Sequence, residues 1–549
     1  MKSISFFILV FYLSVINISA QPTIGLIQNS VGTSEGYTLF SPTAYTQSYL
    51  IDNCGRLIHE WSGSHNTGLA TYLSNNGNLI RTGLIPGSYY AVGGKGGAIE
   101  IIDWNDSIIW SYEHYAATYC LHHDICELPN GNIIALAWER KTTTAATNSG
   151  RNPTLLSGDL WSEKIIEIQP TFPSGGNIVW EWHLWDHLVQ NYSSTKPNYG
   201  VIEDHPELLN LNYLGTGLNY TEWQHFNSID YDPVRDQILI SSRYMCEIYI
   251  IDHSTTTAEA SGHAGGNYGK GGDFLYRWGN PEAYNRGTTT DRKLFDQHCA
   301  KWITDYMPDS NKIIIFNNGV NRPGGNASSV DIMLPPKDSL GNYFIDTLNV
   351  YGPDSIEWTY SATITTSMYA PRVSGGQRLR NGNTLISLGP QADIFEVDSN
   401  KNKIWEYIGP VDNNGPADQG TNLISNSFFK AQRYNLDFPG FSGHDLTPGL
   451  PIEINPLPYE CNTTIINVNN IKENNVSVFP NPSSDKIYIK GIESSYIYKI
   501  YDITGKNLIS GNSNSEQNID ISKLTQGIYF LKINSDKTVL AFKIIKNGN

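Results

Sequence analysis

A short apolar run followed by two aromatic residues that flank one position, or a close variant of it, recurs along most of the chain. Six copies lie at Leu57–Trp61, Ile108–Tyr112, Ile178–Trp182, Phe274–Trp278, Ile356–Tyr360 and Ile404–Tyr407. Polar turns, several with glycine, precede some copies, and Asn-Gly-Asn turns at 76–78, 130–132 and 381–383 lead into further apolar strands. Turns of this type join antiparallel strands. The pattern therefore predicts β-hairpins repeated through the chain.

The repetition predicts the fold class. An all-β chain in which six similar hairpin units follow one another is typical of a six-bladed β-propeller, and we expect this fold for residues 21–459. A β-sandwich with aromatic strands is the alternative, but it does not account for the repetition. Uneven spacing predicts long insertions at Thr142–Leu160, Asp186–Glu222 and Thr255–Asp273.

The composition changes after about Tyr459. A stretch rich in Asn and Ile leads into short alternating strands at 486–490, 496–501 and 527–532. A small domain joined by a linker accounts for both features. We therefore expect a linker over 460–475 and a small C-terminal β-sandwich over 476–549.

Residues 1–20 have the pattern of a secretory signal peptide. Lys2 supplies the positive charge, Phe6–Ile16 the apolar segment, and Ser19 and Ala20 the small residues before cleavage at Gln21. The apolar run is too short for a membrane span, so an exported soluble protein is expected. The net charge of −16 argues against nucleic acid or an anionic membrane as a partner.

The six cysteines would reach an oxidising compartment, where disulfides can form. They are Cys54, Cys120, Cys126, Cys246, Cys299 and Cys461. Six cysteines allow 15 pairings, and the sequence does not choose among them. The absence of a CxxC pair from the sequence argues against a structural zinc site.

Histidine stands at the start of a predicted strand in three separate segments. The segments are Cys120–Asp124 with His122 and His123, Trp223–Ser228 with His225, and Asp296–Ala300 with His298. Each precedes an apolar strand by no more than about twenty residues. Similar units that each carry a histidine can direct them to a common point, so we expect one site built from several repeats.

Two further side chains extend this expected site. His225 and Asn227 are two residues apart, so on a regular strand both would point to one face. The turn at Asp232–Gln237 brings Arg243 beside them on the neighbouring strand. Imidazole, amide and guanidinium donors that converge on one point favour a tetrahedral oxyanion such as sulfate or phosphate.

These segments resemble the bacterial aryl-sulfate sulfotransferases that use no nucleotide sulfate donor. The resemblance rests on Trp223–Ile229, Ser241–Arg243, Asp296–Trp302 and Ile315–Gly319 with Arg322 nearby, and it extends over most of residues 22–450. It implies a six-bladed propeller that transfers a sulfuryl group from a phenolic sulfate donor to a phenolic acceptor. The transfer would be ping-pong and would need neither cofactor nor metal.

The same resemblance implies roles for single residues. His298 matches the nucleophile that forms a sulfohistidine, and His225 matches the acid/base that handles the phenolic oxygen. Asn227 and Arg243 match donors to the sulfuryl oxygens, while Asn318 and Arg322 are expected to bind substrate. A further site histidine is either His122 or His123. The spacing to Leu128-Pro-Asn favours His123 and the pleat relation with His225 favours His122, so both are retained.

The C-terminal region resembles the type A sorting domain of the type IX secretion system. The matching pieces are Phe479–Pro482, Tyr501–Gly505 and Gly527–Phe530. The resemblance implies the type IX secretion machinery as a partner and release to the cell surface or the medium.

Two other interpretations account for less of the sequence. A secreted propeller that binds carbohydrate or mediates adhesion would use the many aromatic residues but leaves the histidine and arginine set unexplained. A metal site made from these histidines lacks an HExxH motif, and the arginine beside them would repel a cation.

Overall fold

The computed structural model describes residues 22–43, 45–87, 89–90, 92–217, 221–304, 307–345, 350–423, 425–457, 461, 477–490, 496–502, 506–513, 517–535 and 538–547. The predicted signal peptide lies outside these residues, as does the predicted linker apart from Cys461. The chain divides into two units, Met1–Thr463 and Thr464–Asn549.

The regular structure of the first unit consists mainly of short strands. They are β1 (Gly25–Asn29), β2 (Tyr37–Phe40), β3 (Gln47–Ile51), β4 (Leu57–Ser62), β5 (Thr67–Leu73), β6 (Leu79–Leu84), β7 (Gly97–Ile102), β8 (Ile108–Glu113), β9 (Tyr115–Ala116), β10 (Tyr119–Glu127), β11 (Ile133–Lys141), β12 (Leu160–Pro170), β13 (Gly176–His183), β14 (Leu188–Val189), β15 (Leu209–Asn210), β16 (Phe226–Asp232), β17 (Gln237–Ser242), β18 (Glu247–Asp252), β19 (Tyr276–Trp278), β20 (His298–Trp302), β21 (Ile313–Asn317), β22 (Ser329–Met333), β23 (Trp358–Tyr360), β24 (Gly375–Arg378), β25 (Thr384–Leu388), β26 (Asp393–Val397), β27 (Lys403–Ile408), β28 (Val411–Asp412), β29 (Gly415–Pro416) and β30 (Gln432–Tyr434).

Helices are few and short. The α-helices are α1 (Thr143–Asn148) and α2 (Thr257–Ala260), which lie in the first and third predicted insertions. The 3-10 helices are Pro153–Leu155, Leu184–Asp186, Ile202–Asp204, Pro281–Tyr284, Thr365–Met368, Gly389–Gln391 and Pro439–Phe441. The described part of the first unit is thus an all-β structure whose insertions carry α1 and α2.

The strands form antiparallel sheets in which neighbours in sequence are mostly neighbours in space. The larger sheets have the orders β30-β2-β3-β4, β5-β6-β7-β8, β13-β12-β11-β10-β9, β16-β17-β18-β19, β20-β21-β22-β23 and β1-β27-β26-β25-β24. The short pairs are β14-β15, which is parallel, and β28-β29. Tight turns produce this simple order, because a short connection can only join adjacent antiparallel strands.

The Asn-Gly-Asn turns close three of these hairpins. They join β5 to β6, β10 to β11 and β24 to β25. In the second hairpin Asn130 Oδ1 accepts the Asn132 backbone N–H at 3.0 Å, and Gly131 has a φ of 84°. Glycine adopts that left-handed conformation without steric cost. The hairpin prediction is confirmed at these three places.

The aromatic signature falls on one strand of each larger sheet, namely β4, β8, β13, β19, β23 and β27. Four of its buried tryptophans donate an indole N–H to a carbonyl just before the corresponding strand of the next sheet: Trp110 to Gly175, Trp182 to Gly272, Trp278 to Pro353 and Trp405 to Asn53. The last of these bonds runs from the final sheet back to the first. A buried indole needs such an acceptor, so the signature marks the contacts between consecutive sheets.

Two strand pairings and one disulfide join the beginning of this unit to its end. Strand β1 pairs with β27, and β30 pairs with β2. Cys54 is bonded to Cys461, 407 residues away in sequence. The disulfide restricts the unfolded chain, because it closes a long loop that stays closed when the strands separate. Cys120, Cys126, Cys246 and Cys299 are free thiols.

The second unit contains the strands β31 (Ser477–Phe479), β32 (Lys486–Lys490), β33 (Tyr496–Tyr501), β34 (Asn507–Ser513), β35 (Gln517–Asp520), β36 (Gly527–Ser535) and β37 (Thr538–Lys546). They form two sheets, β31-β32-β35 and β34-β33-β36-β37. Ile487 and Ile519 of the first sheet share a buried apolar cluster with Ile500 and Leu531 of the second. In the described part of the chain no helix has the length and apolar character needed to cross a membrane.

Candidate active site

Three of the predicted histidines meet in one buried cluster. The ring of His123 lies 4.5 Å from that of His225, and the ring of His225 lies 6.4 Å from that of His298, measured between centroids. All three residues are at most 4% exposed. They come from β10, from the residue before β16 and from the start of β20, so three neighbouring sheets supply one histidine each.

An irregular backbone aims these side chains. His123 and His225 have φ values of 49° and 56°, and Cys299, next to His298, has 50°. At each place the pairing register with the next strand shifts. Bulges of this kind occur beside active sites because they redirect a side chain, and histidine tolerates the left-handed region better than most residues.

The same irregularity contradicts one sequence argument. Because His225 has left-handed backbone, it and Asn227 do not follow the regular alternation of a strand. The Asn227 side-chain amide is fully buried and donates to the Gln297 carbonyl at 2.7 Å. Asn227 therefore joins β16 to the segment that carries His298.

The tautomer of His298 is fixed by its neighbours. Nδ1 lies 2.8 Å from Asn318 Oδ1 and 3.2 Å from the Asp296 carbonyl oxygen. The Asn318 amide nitrogen donates to the carbonyls of Ala370 and Val373, which directs its oxygen toward the ring. Both groups facing Nδ1 are acceptors, so Nδ1 carries the hydrogen and Nε2 carries the lone pair. Asn318, predicted to bind substrate, orients this histidine instead.

A carboxyl group that the sequence argument missed supports His225. Nδ1 of His225 is hydrogen-bonded to Glu222 Oε1, and Glu222 Oε2 lies 3.4 Å from the Tyr244 hydroxyl. Burial raises the pKa of Glu222 to about 7, so the histidine and the carboxyl together hold a proton near neutral pH. The signal in the sequence was the Glu-x-x-His spacing of Glu222–His225.

A second carboxylate supports the paired histidines. His122 lies behind His123, with its Nδ1 2.9 Å from the Nδ1 of His123 and its Nε2 2.8 Å from Glu163 Oε2. The other Glu163 oxygen accepts the Phe226 backbone N–H at 2.9 Å, and the His122 ring stacks on Trp138. His123 thus faces the other site histidines, and its hydrogen bond with His122 fixes the position of its ring. A glutamate inside the apolar strand β12 was the available signal.

Arg243 borders the cluster. Its backbone N–H donates to the His225 carbonyl at 3.1 Å, and its side chain bonds Asp296 Oδ2 at 3.3 Å and the Pro371 carbonyl at 3.4 Å. In the described structure these two bonds use only part of its five N–H donors. The side chain is 20% exposed, so the remaining donors can reach a ligand.

The electrostatics keep the imidazoles neutral. Burial, followed by the charge of Arg243, lowers the pKa of His298 and of His225 well below the usual range. Burial and the neighbouring His225 do the same for His123. A neutral imidazole retains a nucleophilic lone pair, and an adjacent guanidinium attracts an anion. The cluster is therefore suited to attack on an anionic substrate and poorly suited to hold a cation.

Arg322 lies apart from this cluster in the described structure. Its guanidinium donates to Ser329 Oγ at 3.0 Å and lies 5.5 Å from the centre of the Phe295 ring. In the described structure Arg322 has no hydrogen bond to these histidines, and its substrate-binding role stays a prediction.

Comparison with known proteins identifies the family. The arylsulfotransferase (ASST) family model matches residues 45–419, and the chain belongs to that family. Residues 477–547 match the secretion system C-terminal sorting domain, a type IX element that indicates secretion and attachment to the cell surface. The search of curated proteins found no match.

Solved structures with similar folds are distant. A Bacteroides caccae protein of unknown function aligns with 10% identity over 73% of this chain and 99% of its own, with a TM-score of 0.38. Virginiamycin B lyase from Staphylococcus aureus aligns with 9% identity over 69% of this chain and 86% of its own, with a TM-score of 0.30. The Cps50 (Swd1) β-propeller domain from Myceliophteria thermophila aligns with 9% identity over 71% of this chain and 87% of its own, with a TM-score of 0.32. We draw no functional argument from scores this low.

We expect Arg243→Gln to raise the pKa of both His298 and His225, because removal of the cation relieves the penalty on a charged imidazolium. The measurement is a pH titration of isotope-labelled histidine nitrogens by NMR. Arg235→Gln is the control, since Arg235 pairs with Asp232 at the opposite end of β16. Unchanged titration of His298 in the Arg243 variant would show that burial alone keeps it neutral.

Proposed function

We propose that this protein is an aryl-sulfate sulfotransferase that moves a sulfuryl group from a phenolic sulfate to a phenolic acceptor through a sulfohistidine at His298. Membership of the arylsulfotransferase family supports aryl sulfotransferase activity in general. The observation that carries the specific proposal is the buried neutral His298, whose Nε2 lone pair lies in the same cluster as Arg243.

The positions of these groups support the following first half-reaction. Nε2 of His298 attacks sulfur, and the new N–S bond forms as the S–O bond to the phenol breaks. The pair of His225 and Glu222 gives its proton to the departing oxygen, so a neutral phenol leaves. Arg243 offers N–H donors to the sulfuryl oxygens, and the Nδ1–H bond to Asn318 stabilises the positive charge on the substituted ring.

The second half-reaction reverses the first. An acceptor phenol returns its proton to His225 while its oxygen takes the sulfuryl group, which regenerates neutral His298. One covalent intermediate thus connects two similar steps, and no cofactor is needed. His123 is assigned to the site in preference to His122, because its ring is the one next to His225.

We also propose a fold for each unit, based on the arrangement of its sheets. Six larger sheets in sequence order, with a tryptophan bond that returns from the last to the first, support a six-bladed β-propeller over residues 21–459. Two sheets around one core support a small β-sandwich in the sorting domain over 476–549. We propose that a signal peptide over 1–20 starts export and that the type IX machinery completes it.

We expect the purified protein to release nitrophenol from p-nitrophenyl sulfate when a second phenol is present, and to produce the sulfate ester of that phenol. His298→Ala should abolish both products because no nucleophile remains. His205→Ala, a half-exposed histidine paired with Glu207, is the control and should retain activity. Binding of phenols without any transfer would favour a non-catalytic binding propeller.

We expect Asn318→Ala to lower kcat on the order of tenfold to a hundredfold, by analogy with the loss of a partner that orients a metal-bound histidine. Asn318→Asp keeps the acceptor but adds a negative charge, which favours the imidazolium and raises the pKa of His298. Its loss of activity on the acid side should therefore begin at a higher pH than in the wild type. The measurement is the pH dependence of kcat/KM.

The control for both variants is Asn383→Ala, a buried amide in the turn between β24 and β25 that donates to the Gly32 carbonyl. A purely structural role for Asn318 would make all three variants lose stability without any shift of the pH profile.

A further inference from the structure

We propose that His187, His263 and Asp273 bind a divalent first-row metal ion, such as zinc. The ion would join the two ends of a glycine-rich loop to the segment that carries His187. These residues lie outside the histidine cluster: His187 is in the second predicted insertion, and the other two are in the third. One ligand atom from each residue lies within 4.8 Å of the other two.

The three ligand atoms already converge. His187 Nδ1 and His263 Nδ1 each lie 2.8 Å from Asp273 Oδ1. His187 and Asp273 are buried, while the His263 side chain is 62% exposed. Zinc bonds to nitrogen and oxygen of about 2.0–2.1 Å place neighbouring ligands about 3.3 Å apart. Each histidine–carboxylate pair would need to separate by only about half an ångström. The exposed His263 can move by this amount freely, whereas the buried pair of His187 and Asp273 would need a small shift of the Asp273 carboxylate.

The hydrogen bonding of His187 makes its Nδ1 a ligand. Its Nε2 lies 2.8 Å from the Ala260 carbonyl oxygen, which can only accept, so Nε2 carries the hydrogen. In the neutral ring Nδ1 then has a lone pair, and it faces the Asp273 carboxylate. Two acceptors at this distance repel unless a cation lies between them. A proton on either group, or a metal ion between them, would remove that repulsion.

The surroundings resemble those of a metal ligand. A ligating histidine usually donates its other N–H to a carbonyl or carboxylate, which fixes the ring, and Ala260 supplies that acceptor. The His187 ring is also stacked on Trp182, with the planes 4° apart. Two imidazole nitrogens and one carboxylate oxygen suit zinc and its neighbours better than calcium or magnesium, which prefer oxygen ligands.

A metal ion at this site would stabilise the loop between two of its ligands. Residues 264–272 contain five glycines and connect His263 to Asp273. Glycine loses more conformational entropy on ordering than other residues, so this loop is costly to hold in place. Its last residue, Gly272, accepts the indole N–H of Trp182 at 2.7 Å. One metal ion bound to both ends of the loop would maintain the contact between Trp182 and Gly272, which joins two consecutive sheets.

The test uses the full mature chain, stripped with a chelator and then titrated with zinc. We expect one zinc ion to bind per chain with His263 intact, and His263→Ala to weaken that event at least a hundredfold. Because the exposed Lys270 lies inside the loop, trypsin cleavage after it should slow at least tenfold when zinc is added to the wild type. Zinc should not protect the His263 variant.

The control is His205→Ala, because His205 and Glu207 form a similar pair to which the described residues add no third ligand. It should bind zinc and resist cleavage as the wild type does, which also corrects for any effect of zinc on trypsin. The proposal fails if His263→Ala binds zinc as tightly as the wild type. It also fails if zinc leaves cleavage at Lys270 unchanged, in which case a protonated His187 bridges Ala260 and Asp273.

Discussion

A buried imidazole that must remain neutral beside a guanidinium is the constraint on which this structure depends. In the proposed mechanism a protonated His298 would lose the lone pair needed for attack, and burial together with Arg243 penalises that charged form. In the same mechanism the guanidinium would attract the anionic sulfate ester. One charge thus serves two purposes, provided that the fold holds ring and guanidinium in fixed positions. Much of the local architecture meets that requirement.

Two layers of contacts provide the fixed positions. Asn318 bonds His298 and sets which of its nitrogens carries the hydrogen, Glu222 bonds His225, and Glu163 bonds His122 behind His123. Further out, side chains join the strands of different sheets, as Asn227 does across to Gln297. The pairing of β1 with β27 then connects the first strand of the unit to its last large sheet.

The sequence predicted the repeats and most of the site, but not its supports. A repeated aromatic signature and three histidines before strands are visible in one dimension, because each unit repeats the same local pattern. Three features were not predictable this way. Left-handed backbone at His225 breaks the alternation used to place Asn227. Glu163 and His122 are joined through tertiary contact across separate strands. The role of Asn318 depends on carbonyls of Ala370 and Val373, more than fifty residues away.

The central claim is that His298 itself carries the sulfuryl group between donor and acceptor. The most direct measurement mixes the wild-type protein with an aryl sulfate in the absence of any acceptor, digests it at neutral to alkaline pH, and maps the adduct by mass spectrometry. The account predicts one added sulfuryl group on the peptide that contains His298, and its disappearance when a phenol is added before digestion. A sulfuryl group on His225 or His123, or turnover without any adduct, would contradict it.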